Sequence, residues 1–149
     1  MEHAARFDFG RWTLRLGILL FLLGLVSGFL IPSMENPRMG LTSHLEGVIN
    51  GTFLLVLGAI WGQLNLGMLA SKILFAVAIY SSYANWLATL LAGLWGAGGS
   101  MMPIAGGDHT GSQMQEGLIT FALLSLSVGM VIVSALVLWG LRGNARHGS

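Results

Sequence analysis

The chain has 149 residues, of which 54% are hydrophobic and only 9% charged, with a mean hydropathy of +0.76. Soluble domains carry roughly 25% charged residues, so this composition points to an integral membrane protein: one domain, residues 1–149, with no length left for a separate soluble catalytic module. The absence of cysteine excludes thiolate nucleophiles, disulfides and Cys-ligated metal or iron–sulfur centres, and a net charge of +1 excludes a phosphate-binding nucleic-acid face.

Four apolar stretches each reach the roughly 20 residues that a bilayer crossing needs. The first runs from about Trp12 to Ile31 and stops at Pro32; it has full span length and no Ala-x-Ala-like cleavage site, so it reads as a retained helix rather than a signal peptide. The second covers about Pro37 to Trp61, the third about Leu66 to Trp95 and the fourth about Gln115 to Leu141. Barrel strands would be half as long with period-two alternation, so the expected fold is an all-α, integral membrane four-helix bundle. With four crossings, Arg6, Arg11, Arg15, Lys72, Arg142 and Arg146 share one side and Arg38 stands alone on the other. This bias predicts an inner-membrane protein with both termini in the cytoplasm. The loop from about Gly96 to Met114 then lies outside; its glycines predict a flexible connection, with a lid over a site as the alternative.

Gly24 with Gly28, and Gly47 with Gly51, are small-xxx-small pairs that let helices approach closely. Several such faces on so small a protein leave surface for a homo-oligomer, for which a trimer or another ring is expected.

Polar groups are costly within a membrane span and mark candidate sites. Ser43 to Gly51 places His44, Glu46 and Asn50 in the second span. If Ser43 is an N-cap, Glu46 completes a capping box and is structural; if Asn36 is the N-cap and Pro37 the first helical residue, His44 lies about two turns inside the helix. The second arrangement is preferred because it gives a full span. Glu46 and Asn50 then share a face, whereas His44 lies about 120° around the axis from Asn50. The two faces would meet one ligand only across a subunit interface. Interhelical hydrogen bonding remains an alternative role for both His44 and Asn50. On the third helix, Ser81, Ser82, Asn85 and Thr89 form a polar stripe among Tyr80, Tyr83 and Trp86, suited to a pocket wall for a small aromatic substrate or to packing between helices.

Among the histidines only His44 lies within a span, while His3, His109 and His147 fall in termini or a loop. A bis-histidine haem would need His109 as an awkward second ligand. Single-histidine ligation is easier to build and leaves one iron face open as a Lewis acid.

The run from Asn36 to Gly51, NPRMGLTSHLEGVING, closely resembles the hydroxylaminobenzene mutase family of small four-helix membrane proteins. More distantly the chain is similar to styrene oxide isomerase, through Pro37, His44, Asn50 and Gly51 and the triplet Tyr83-Ala84-Asn85. The resemblance implies an isomerase that turns hydroxylaminobenzene into 2-aminophenol by moving the hydroxyl from nitrogen to the ortho carbon. It further implies haem b between subunits on His44, with Asn50 meeting the substrate heteroatom and N–O cleavage toward a nitrenium-like species. Asn50, Glu46 and Asn85 are thus the candidate catalytic groups. Tyr83, Trp86 and Thr89 would hold the ring and keep water away.

Thr89 stands where the isomerase relatives carry a further tyrosine, and Glu46 has no obvious counterpart in their pattern. Glu46 is therefore a candidate proton shuttle or anion stabiliser specific to the mutase chemistry. An epoxide isomerase, a haem-binding electron carrier and a small transporter subunit are the alternative functions.

Overall fold

The computed structural model describes residues 8–142, so Arg6, Arg146, His3 and His147 lie outside the described residues. Helix α1, Phe9–Leu30, starts at Asp8, whose carboxylate accepts from the Arg11 backbone N–H at 2.9 Å. A 3-10 turn at Ile31–Ser33 ends the first span. Helix α2, Pro37–Ile60, begins at Asn36, whose side-chain oxygen accepts from the backbone N–H groups of Arg38 and Met39. Proline suits the first helical position, where its missing N–H costs nothing. The Ser43 capping box is thereby ruled out: Ser43 lies mid-helix, buried, with Oγ donating to the Trp86 carbonyl at 3.4 Å. Helix α3, Met68–Trp95, ends at Gly96, which takes the left-handed conformation with φ 61°. After the single turn α4, Pro103–Gly106, helix α5, Gln113–Gly140, opens with a capping box of Ser112 and Gln115. Helices α1, α2, α3 and α5 are the four expected spans.

Helices α1 and α2 form the tightest pair. A Cβ on Gly24 would lie 2.6 Å from the Val48 nitrogen, and one on Gly58 would lie 2.9 Å from the Leu14 nitrogen. The absence of side chains along this seam lets two antiparallel backbones touch, which is where helix association in lipid gains its dispersion energy. Of the two glycine pairs, Gly24 and Gly47 meet across the seam, Gly51 abuts the Phe21 backbone and Gly28 faces His44.

Helix α3 lies across this hairpin and touches both members, whereas α5 packs on α3. Leu20, Leu54, Leu57, Leu74, Ala78 and Val133 form the main core, and the outward faces carry Ile18, Leu22, Phe29, Ile49, Phe121 and Val131 toward lipid. At one end Trp61 stacks with Phe9 and meets Phe75, Arg15 lies over Trp12 and Arg142 over Trp139, which forms an interfacial girdle of aromatic and cationic groups.

The loop after α3 differs from the flexible connection that its glycines predict. Glu116 accepts from the backbone N–H groups of Gly98 at 2.8 Å, Gly111 at 3.1 Å and Ser100 at 3.2 Å. The buried Asn36 amide donates to the carbonyls of Ala105 and Gly106. One carboxylate and one amide therefore pin the loop against the start of α2.

Candidate functional site

Helix α2 carries His44, Glu46 and Asn50 at about 11, 14 and 20 Å from its start. The His44 Nδ1 lies 2.8 Å from the Gly24 carbonyl oxygen. A carbonyl only accepts, so Nδ1 bears the proton and Nε2 keeps its lone pair. Gly28 makes room for this ring, since a Cβ there would lie 2.8 Å from Nδ1. Beside His44, Leu25, Gly28, Phe29, Ile31 and Leu41 line an open groove of about 480 Å³. Leu25 also lines a second apolar groove, with Ile18, Leu19, Phe21 and Leu22.

The other face of α2 meets α3. Glu46 Oε2 accepts from Asn50 Nδ2 at 2.9 Å and from Asn85 Nδ2 at 2.7 Å. Asn50 Nδ2 also donates to the Glu46 main-chain oxygen at 2.9 Å. Glu46 Oε1 takes no hydrogen bond among the described residues. The i, i+4 pair expected on α2 is thus joined by Asn85 of the polar stripe, giving a carboxylate clamped by two amides within the span.

The remaining α3 residues take different places. Tyr83 donates its hydroxyl to the Leu16 carbonyl at 2.9 Å, bracing α3 on α1. Buried Thr89 returns its hydroxyl to the carbonyls of Asn85 and Trp86. Trp86 lies against Gly47, and its buried Nε1 has no partner, as is true of the Ser81 and Ser82 hydroxyls. An unmade hydrogen bond of this kind costs about 1–3 kcal/mol, and the indole N–H is enclosed by packing, with no surface exposed to a ligand. His109 lies away from His44, in a pocket of about 330 Å³ with Asn36, Pro37, Arg38 and Asp108.

His44 and the Glu46–Asn50–Asn85 cluster therefore occupy separate faces, as the helical spacing predicts. The part of Gly28 in seating His44 escapes sequence reasoning, because its spacing from Gly24 reads only as helix packing. Among the described residues no three His, Asp or Glu side chains converge as a metal site. A haem brings four nitrogens of its own and asks the protein for an axial ligand. A His44 Nε2 freed by the Nδ1–Gly24 bond, beside an apolar groove, fits that requirement.

The styrene oxide isomerase family profile matches residues 9–142. The hydroxylaminobenzene mutase HabB of Ectopseudomonas oleovorans is 67% identical over 132 residues, covering 89% of this chain and 80% of that protein. The hydroxylaminobenzene mutase HabA of the same organism is 44% identical over 125 residues, covering 84% of this chain and 93% of that protein. No solved structure matches significantly. The chain is a hydroxylaminobenzene-mutase-like isomerase and belongs to the styrene oxide isomerase family.

Proposed function

We propose that this protein converts hydroxylaminobenzene to 2-aminophenol by intramolecular transfer of the hydroxyl group. The observation that carries this reading is the Glu46 carboxylate, clamped through one oxygen by Asn50 and Asn85 and free at the other. The reaction is an isomerisation: the N–O bond breaks, a C–O bond forms at the ortho carbon, and that carbon gives up a proton while nitrogen gains one. No external electron or atom is needed. Glu46 Oε1 accepts the ortho proton and returns it to nitrogen, while Asn50 and Asn85 hold the carboxylate in place. Asn50 also meets the substrate hydroxyl. Trp86 and Tyr83 flank the ring with Thr89 packed behind them, and together they exclude water, which would otherwise capture the cationic ring and scatter products.

His44 would hold haem b, which when bound supplies a ferric Lewis acid toward the substrate heteroatom. His44 and Glu46 lie about 160° apart around α2, so a site that uses both would bring the His44 groove of one subunit to the Glu46 edge of another. Such a head-to-tail contact gives a ring where its rotation closes, and a homotrimer is the form proposed. The cationic girdle around Arg11, Arg15, Lys72 and Arg142 supports a cytoplasmic placement of both termini in the inner membrane.

Membranes from cells expressing the protein are incubated with hydroxylaminobenzene and the products separated by chromatography. Accumulation of 2-aminophenol above that of a vector control is expected; its absence, with the protein present and folded, would overturn the reading. Epoxide isomerisation is the second reading, favoured by the family to which the chain belongs, and the same membranes given styrene oxide test it through formation of phenylacetaldehyde.

A further inference from the structure

We infer that Glu46 selects the substrate class by fixing the orientation of the Asn50 amide, so that the site accepts a hydrogen from its ligand instead of donating one. The inference rests on the proposed function of this same cluster and names the chemistry it recognises. An asparagine amide offers two N–H donors on Nδ2 and one acceptor oxygen. In Asn50, Nδ2 lies 2.9 Å from the Glu46 main-chain oxygen and 2.9 Å from Glu46 Oε2. Both partners are oxygens that accept, so both N–H groups are spent. Flipping the amide would set Oδ1 against the same two oxygens, which forbids the alternative orientation.

What Asn50 can still offer a ligand is Oδ1, which has no partner among the described residues. Asn85 turns the same way, with Nδ2 at 2.7 Å from that same carboxylate oxygen, which spends one of its two N–H groups. A ligand that meets Asn50 must therefore bring a hydrogen. An arylhydroxylamine brings N–H and O–H; an epoxide oxygen brings only lone pairs and would face another lone pair. One satisfied against one repulsive contact in a span with little water discriminates about 10- to 100-fold.

Glu46 is thus a positioning residue for specificity, acting through Asn50, in addition to the proton-transfer role of its free oxygen. Two substitutions separate these roles. In Glu46→Gln the side-chain carbonyl still accepts from both amides, so orientation survives while the proton acceptor is lost. In Glu46→Leu the Asn50 amide keeps its bond to the main-chain oxygen but one N–H is freed from the side-chain contact and can donate to a ligand. Asn50→Ala removes Oδ1 directly and serves if the leucine variant does not fold.

Binding is measured on detergent-purified protein, by calorimetry, for benzyl alcohol, which carries a donor, and for benzyl methyl ether and styrene oxide, which do not. Wild type and Glu46→Gln are expected to prefer the alcohol about 10- to 100-fold; Glu46→Leu and Asn50→Ala are expected to bind all three within about threefold. Retention of the preference in either of the latter variants, no preference in wild type, or loss of all binding by a folded Glu46→Leu protein would overturn the inference. Turnover of hydroxylaminobenzene is read separately. A wild type that shows the preference yet forms no 2-aminophenol sinks the mutase reading and leaves the amide orientation standing.

Discussion

The imidazole of His44 donates through Nδ1 to the main-chain carbonyl of Gly24 at 2.8 Å, which fixes the ring across the α1–α2 seam and leaves the Nε2 lone pair free on a residue that lines an apolar groove. A backbone carbonyl behind a ligand histidine sets its tautomer and ring angle, and such contacts are often worth 10–100-fold in metal affinity. The packing seam of the fold and the proposed cofactor ligand are therefore one construction.

Gly28 should be intolerant of even one methyl group. A Cβ there would stand 2.8 Å from His44 Nδ1 and displace the ring from the Gly24 carbonyl. Purified Gly28→Ala is expected to bind haem about tenfold more weakly while keeping helical circular dichroism. His44→Ala is expected to lose the Soret band altogether. Full haem content in His44→Ala would reject that residue as the ligand.

The seam should also govern stability. Gly24→Ala sets a methyl group 2.6 Å from the Val48 nitrogen, where the obstacle is backbone and cannot rotate away. Overpacking of this kind costs about 1–3 kcal/mol. Gly117, on α5, has nothing within 4 Å of an added Cβ, so Gly117→Ala should gain up to about 1 kcal/mol from helix propensity. Thermal unfolding in detergent should lower the midpoint for the first substitution and hold or raise it for the second.

The loop between α3 and α5 should loosen without harm to the chemistry when its staple is removed. Glu116→Ala strands the N–H groups of Gly98, Ser100 and Gly111, at a cost of about 2 kcal/mol. Amide hydrogen exchange across residues 97–112 should quicken at least tenfold, with turnover per folded molecule kept within about twofold.

Asn85→Ala removes the shorter of the two amide contacts to Glu46, 2.7 Å against 2.9 Å. Turnover should fall about 10- to 150-fold, since a charge-assisted bond is worth about 1.5–3 kcal/mol. Haem content should not change, because Asn85, on α3, touches neither His44 nor the residues that line its groove. A parallel loss of haem would show that the two faces are not independent.

Much of this arrangement was legible in the chain. Asn36-Pro37 marks the start of α2 by local cap chemistry alone, and that single position sets the depth of His44, Glu46 and Asn50 within the span. The pairing of Glu46 with Asn50 follows from their i, i+4 spacing. That Asn85 reaches the same carboxylate oxygen depends on how α3 crosses α2, and a contact between residues 39 apart leaves no periodic trace. The commitment of Tyr83 to the Leu16 carbonyl, 67 residues away, is hidden for the same reason. The pinned loop escapes because its order comes from backbone donors, which every glycine-rich segment possesses, meeting one carboxylate on α5. Gly28 was visible as a small residue, but its service to His44 needs the three-dimensional seam.

The central claim is that the hydroxyl migrates within one substrate molecule, in a site that excludes water. Purified protein turning over hydroxylaminobenzene in water enriched in oxygen-18 tests it most directly, with the 2-aminophenol analysed by mass spectrometry. The expected product is 2-aminophenol without the heavy isotope. Incorporation of oxygen-18 to the level of the solvent would mean that water supplies the hydroxyl, and would contradict the account.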